Sequence, residues 1–266
     1  MKEGTTTSSY GILYFQSHGN KDNPTVVFIH GVGMDHRTFA EQIESLKENY
    51  HVILWDLPGH GNSTLQNYKS RYTEMAADCL NELLTELKIS KAVLVGQSLG
   101  SMISQYFLLK YPKKVIATAH VPGIELKSHA GNWAKAFIPL FMGMINLIPA
   151  GLFHRSFGRH RAVKPEVQNY LSKTIEKTGK KLVLKITKDM TLDLIERNPE
   201  PEKKSILITY GQKDLFFIRK AARNWHKKYP SGLCVEIPEA NHIANQDNPA
   251  AFNKHLGIFL KDIVGF

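Results

Sequence analysis

Cysteines and long apolar runs are both scarce in this sequence. Its two cysteines, Cys79 and Cys234, have no metal-ligand spacing and no histidine beside them. We expect each to be a small buried hydrophobic residue, and the sequence leaves open whether the two meet in the fold. The longest apolar stretch, residues 137–153, is shorter than a bilayer span and is interrupted by prolines and glycines. Because the N-terminus also lacks the apolar segment of a secretory signal, we expect a soluble, cytoplasmic protein without stable membrane insertion.

Cofactor and nucleic-acid motifs are missing as well. The sequence has no Gly-rich phosphate loop, no zinc-ligand spacing and no dinucleotide fingerprint, so it implies no cofactor and no metal. The formal net charge is +10, and residues 151–190 contain ten lysines and arginines but only three acidic residues. A basic surface can attract nucleic acid, anionic lipid or an acidic substrate. Since no nucleic-acid motif accompanies it, we interpret it as a solvated surface and expect no nucleic-acid partner.

Short apolar runs alternate with helical patterns along most of the 266 residues. The predicted strands are 26–29, 51–55, 92–95, 115–119, 205–210 and 233–237. This alternation predicts an α/β fold, with a mostly parallel sheet that has helices on both faces. The alternation of strands and helices is interrupted over residues 123–202. We interpret these residues as a helical cap over the carboxyl edge of the sheet. Residues 1–122 and 203–266 then form the core.

A serine lies between glycines where a predicted strand meets a helix, in Gly96-Gln97-Ser98-Leu99-Gly100. A nucleophile on such a sharp turn needs small neighbours, because the strained chain passes close to the adjacent strand and helix. Serine also needs a base that removes its proton and a carboxylate that orients the base. Asp214 and His242 follow later strands, in the order serine, acid, histidine. We therefore predict Ser98 as nucleophile, His242 as general base and Asp214 as its orienting acid.

With these residues the chain resembles the α/β-hydrolase superfamily, most closely the capped serine hydrolases of esterase type. The resemblance is carried by residues 30–33, 56–63, 96–100, 211–214 and 241–242. It implies a helical cap inserted after the sixth strand, and an oxyanion hole formed by the backbone N–H groups of Val32 and Leu99. Some members carry the acid after the strand before the cap, but residues 120–123 of this chain contain no carboxylate. That absence favours Asp214.

The pocket is harder to predict than the catalytic residues. The expected pocket residues are Met34, Gln97, His120, Phe141 and Met144. The apolar run 136–145 can be the core of the cap, a pocket wall for an acyl group, or a shallow membrane contact. His30 and His60 lie in glycine-flanked turns, where we expect hydrogen bonds to nearby backbone rather than catalysis.

The leading hypothesis is hydrolysis of a carboxylic ester, thioester or lactone, with a small-molecule substrate that carries an acyl or apolar group. Haloalkane dehalogenases and epoxide hydrolases of this fold need aspartate where this chain has Ser98. Carbon–carbon bond hydrolases of meta-cleavage products remain an alternative, because they share the triad. A ligand receptor on the same scaffold is a third hypothesis. The sequence leaves the substrate and the oligomeric state open.

Overall fold

One eight-stranded sheet organises the protein. The computed structural model of the chain describes residues 1–66, 68, 71–126, 133–196 and 202–265. In space the strands follow the order β1-β2-β4-β3-β5-β6-β7-β8. Their bounds are β1 Lys2–Ser8, β2 Gly11–His18, β3 Thr25–Ile29, β4 His51–Trp55, β5 Ala92–Gln97, β6 Val115–Val121, β7 Ser205–Gly211 and β8 Leu233–Ile237.

Strands β3 to β8 are parallel to one another. At one edge β1 and β2 form an antiparallel hairpin, and β2 is also antiparallel to β4. The mostly parallel sheet predicted from the sequence is therefore confirmed. Because the parallel strands share one direction, their carboxyl ends meet at the same edge. The loops that follow β3, β5, β7 and β8 accordingly lie on that edge.

Helices cover both faces of the sheet. Their bounds are α1 Ala40–Leu46, α2 Tyr72–Glu86, α3 Leu99–Lys110, α4 Trp133–Leu147, α5 Ala150–Arg161, α6 Pro165–Thr178, α7 Lys180–Glu196, α8 Phe216–His226, α9 Ala244–Asp247 and α10 Pro249–Ile258. Alternate residues of β3 point to opposite faces, as the period of a strand requires. Val27 and Ile29 pack with side chains of α2 and α3, whereas Val26 and Phe28 pack with side chains of α1 and α10.

Four helices, α4 to α7, lie between β6 and β7 in the chain, and the described part of this region contains no strand. Their side chains share the main core, since Ile175 of α6 and Ile186 of α7 are fully buried with residues of α2 and α3. The division into core and cap stays a prediction. Within the described ranges, no helix is long and apolar enough to cross a membrane.

Candidate active site

Ser98 occupies a strained turn between β5 and α3. Its backbone has φ +51° and ψ −109°, a conformation that costs a residue other than glycine about 1–3 kcal/mol. The turn is held by hydrogen bonds, because the Ser98 N–H donates to the Val121 carbonyl (2.8 Å) and its carbonyl accepts from the Ser101 N–H (2.9 Å). A serine placed at the end of a strand in this way faces the carboxyl edge of the sheet.

Two glycines make the turn possible because the backbone approaches other backbone there. A Cβ on Gly96 would lie 2.3 Å from the carbonyl oxygen of Gly100, and a Cβ on Gly100 would lie 1.9 Å from the carbonyl oxygen of Ile29. No side chain can be accommodated at such distances. The need for glycine on both sides of Ser98, inferred from the sequence, therefore has a direct steric cause.

The loops after β7 and β8 are bonded to each other through their backbones. The Gln212 N–H donates to the Ile237 carbonyl (3.0 Å), and the Lys213 N–H donates to the Ala240 carbonyl (2.8 Å). These bonds fix the loop that carries Asp214 against the loop that carries His242. The relative position of the two side chains is thus set by main-chain geometry rather than by the side chains alone.

Asp214, His242 and Ser98 form a continuous hydrogen-bonded line. His242 Nδ1 lies 3.1 Å from Asp214 Oδ2, and His242 Nε2 lies 3.1 Å from Ser98 Oγ. The other oxygen of Asp214 accepts from the Leu215 N–H at 2.7 Å. Asp214 is 4% exposed and His242 is 7% exposed. This arrangement can move a proton from the Ser98 hydroxyl to an imidazole that a buried carboxylate orients.

The turn after β3 is shaped by a buried histidine. The Leu57 N–H donates to His30 Nε2 (2.9 Å), so the ring proton lies on Nδ1, which donates to the Gly31 carbonyl (2.8 Å). Burial lowers the pKa of His30, which favours this neutral form. The predicted backbone role of His30 is confirmed. Val32 in this turn and Leu99 are both buried, and their role as an oxyanion hole stays a prediction.

Comparison with known proteins agrees with this architecture. The family model of the alpha/beta hydrolase fold matches residues 24–249. The chain belongs to the α/β-hydrolase family. Uncharacterized hydrolase YugF of Bacillus subtilis is 23% identical over 262 residues, which is 94% of this chain and 94% of that protein. The 3-oxoadipate enol-lactonase 2 of Acinetobacter baylyi is 22% identical over 260 residues, covering 97% of this chain and 96% of its own length.

A solved α/β-hydrolase structure matches along the whole length. The thermophilic esterase from Thermogutta terrifontis, solved with malate bound, aligns with a TM-score of 0.80 at 20% sequence identity, covering 99% of each chain. At this identity the likeness shows the shared fold.

Two of the predicted pocket residues lie beside the hydrolase site. Met34 is 2% exposed and packs in one cluster with Ala162 and with Ile243, the residue after His242. Gln97 is fully buried, and neither polar atom of its amide has a hydrogen-bond partner among the described residues. Its Oε1 lies close to Gly31, where an added Cβ would come within 2.1 Å. The Gln97 amide is therefore buried against Gly31 in the turn after β3.

His120 lies in the core. Its Nδ1 is 2.8 Å from Ser101 Oγ, and its ring centroid is 4.6 Å from that of Trp225 on α8. Burial lowers the pKa of His120 to about 3. His120 lies on β6 and packs between α3 and α8, and within the described residues no contact places its side chain against Ser98.

The two pocket residues predicted on α4 give little support for a pocket wall. The side chain of Phe141 lies outside the described residues, and Met144 is 54% exposed. Their pocket role stays a prediction.

Asp247 is a positioning residue that the sequence did not reveal. Its carboxylate accepts from the N–H groups of Val163 (2.9 Å), Lys164 (3.1 Å) and Asn241 (2.9 Å). It thereby joins the segment between α5 and α6 to the residue before His242. In the sequence Asp247 precedes Asn248-Pro249, which indicates a helix start, but no pattern shows which distant backbone would reach its carboxylate.

Proposed function

We propose that the protein is a serine hydrolase that cleaves a carboxylic ester, or the closely related thioester or lactone, through an acyl intermediate on Ser98. The observation that carries the proposal is the hydrogen-bonded line from Asp214 through His242 to Ser98. All three side chains lie on short loops at one edge of the sheet, so the backbone holds them in place before substrate arrives.

In the first half of the reaction, Ser98 Oγ attacks the acyl carbon while its proton passes to His242 Nε2. Asp214 accepts a hydrogen bond from His242 Nδ1 and stabilises the imidazolium. The N–H groups of Val32 and Leu99 are the proposed donors to the oxyanion. Leu99 is the first residue of α3, where an N–H has no intrahelical acceptor and the helix dipole favours negative charge. The proton on Nε2 then passes to the departing oxygen or sulfur atom.

In the second half, His242 Nε2 takes a proton from water, and the resulting hydroxide attacks the acyl carbon. Collapse of that intermediate releases the carboxylic acid and returns the proton to Ser98 Oγ. The cycle consumes one water molecule and leaves the protein unchanged.

The substrate class is supported by the family comparisons. The relatives of similar length include an enol-lactonase, and the aligned structures include an esterase. Ester and lactone hydrolysis pass through the same acyl intermediate. The carbon–carbon alternative uses the same three residues, so a substrate panel separates the two hypotheses, whereas the site geometry does not.

Replacing the nucleophile tests the proposal. Ser98→Ala should lower turnover of p-nitrophenyl acetate by about four to six orders of magnitude, because the variant lacks the hydroxyl that forms the acyl intermediate. Ser104→Ala is the matched control. Its hydroxyl donates to the Gly100 carbonyl one turn back in α3, and the variant should keep wild-type turnover. Near-wild-type turnover by a folded Ser98→Ala variant would refute the assignment.

A further inference from the structure

An arginine at the end of α5 is fixed against the loop of His242. The carbonyl of Arg161 accepts a hydrogen bond from the Ile243 N–H (3.2 Å), and the carbonyl of His160 accepts one from the Asn241 side-chain amide (3.2 Å). The residues on both sides of His242 therefore hold the backbone that carries Arg161. The backbone position of Arg161 relative to His242 is set by these two hydrogen bonds.

The guanidinium of Arg161 is partly buried and has no hydrogen bond or ion pair with a described residue. Its central carbon lies 4.0 Å from the ring centroid of Phe157, one turn back on α5. Burial lowers the pKa of Arg161 to about 10, while the negative charge of Asp214 acts in the opposite direction. The arginine thus remains a cation at neutral pH, in the electrostatic range of the site.

Partial burial of a cation is costly where no ion pair offsets its desolvation, and Arg161 has no ion pair within the described part of the chain. The aromatic ring covers one face of the guanidinium, which leaves its edge and its N–H donors for another group. The edge of a guanidinium matches a carboxylate, which can accept two parallel hydrogen bonds. A phosphate monoester fits less well, since its second negative charge would lie within range of the negative charge of Asp214.

We infer that Arg161 binds a carboxylate of the substrate, so that the preferred ester or lactone carries a free carboxylate in addition to the bond that is cleaved. The inference rests on the proposed function, because it names the substrate class of the same site. It also gives one arginine of the basic segment a role that the solvated-surface interpretation did not include.

The kinetic test uses two esters of nearly equal shape, monoethyl succinate and ethyl levulinate, of which only the first carries a charge. The ratio of their kcat/KM values should fall about 10- to 100-fold in Arg161→Gln, which loses charge-assisted hydrogen bonds. Arg161→Lys should retain part of the ratio, because it keeps the charge but loses the planar donor pair. The matched control is Arg159→Gln, which removes an exposed arginine from the same helix and should leave the ratio unchanged.

A binding measurement makes the inference independent of turnover. Calorimetry with succinate should show an affinity at least about 10-fold weaker for the folded Arg161→Gln variant than for the wild type and the Arg159→Gln variant. A kcat/KM ratio and a succinate affinity that are both insensitive to Arg161 would overturn the inference. Tighter binding of inorganic phosphate than of succinate would also overturn it. If Ser98→Ala retained ester turnover, the proposed function would fail, while the succinate affinities would still decide the role of Arg161.

Discussion

His60 and His120 are two histidines whose charge state is controlled by burial. Burial lowers the pKa of each to about 3, whereas an exposed histidine in the unfolded chain has a pKa of about 6.5. The unfolded chain therefore binds protons first as the pH falls. Their contribution to stability is present above about pH 6.5 and is lost progressively toward pH 3, at about 1.4 kcal/mol per pH unit for each histidine.

The variant His120→Gln tests this effect. Between pH 7 and pH 5, the free energy of unfolding of the wild type should fall by about 2 kcal/mol more than that of His120→Gln, because the variant has one buried titrating group fewer. Urea unfolding at both pH values measures the difference. The exposed residue His160 provides the control, since His160→Gln should follow the wild type. Equal losses in wild type and His120→Gln would contradict the account.

Individual residues differ in how well the sequence predicts them. Ser98, Asp214 and His242 each follow a strongly apolar strand, so parallel pairing brings them to one edge, and their proximity could be predicted. The position of Arg161 beside the site could not be predicted, because the sequence shows only a basic segment. Which of its cations lies beside the loop of His242 depends on where α5 ends. The pocket role of His120 was inferred from its strand end alone, whereas its side chain packs against Ser101 and Trp225.

The elements themselves were largely predictable. The observed strands β3 to β8 agree with the predicted ones within two residues at each end, because their apolar runs are short and uninterrupted. The hairpin of β1 and β2 was missed. In β2, buried residues such as Leu13 and Phe15 alternate with more exposed ones. Ile12 and Tyr14 next to them are also apolar or aromatic, so the sequence itself shows no period of two. The helical segment after β3 consists of a short 3-10 turn, His36–Phe39, followed directly by α1.

The close approach of α3 to β3 gives a prediction at the level of elements. Gly100→Ala should lower the free energy of unfolding by at least about 2 kcal/mol, because its Cβ would collide with the Ile29 carbonyl. Gly143→Ala is the control. An added Cβ there meets no atom within 4 Å, and alanine should stabilise α4 by up to about 1 kcal/mol. Urea unfolding compares the two variants. Equal stability of Gly100→Ala and the wild type would contradict the close approach of Gly100 to the Ile29 carbonyl.

At the scale of the whole molecule, the site depends on segments that are far apart in the chain. Four segments meet only when the sheet is complete. They are the turn after β5, the loops after β7 and β8, and the segment after α5. Asp247 contributes to this meeting, since its carboxylate binds backbone from two of these segments. The sequence predicts the parallel strands of such an assembly, but not the hydrogen bonds that fix its loops.

Labelling with a fluorophosphonate probe tests the central claim most directly, because the probe reacts with a serine only when a folded site activates it. We expect the native protein to gain one adduct, located by mass spectrometry on Ser98. Urea-unfolded protein and Ser98→Ala should gain none. A correctly folded wild-type protein that stays unlabelled, or an adduct on a different serine, would contradict the account and favour a ligand receptor or another nucleophile.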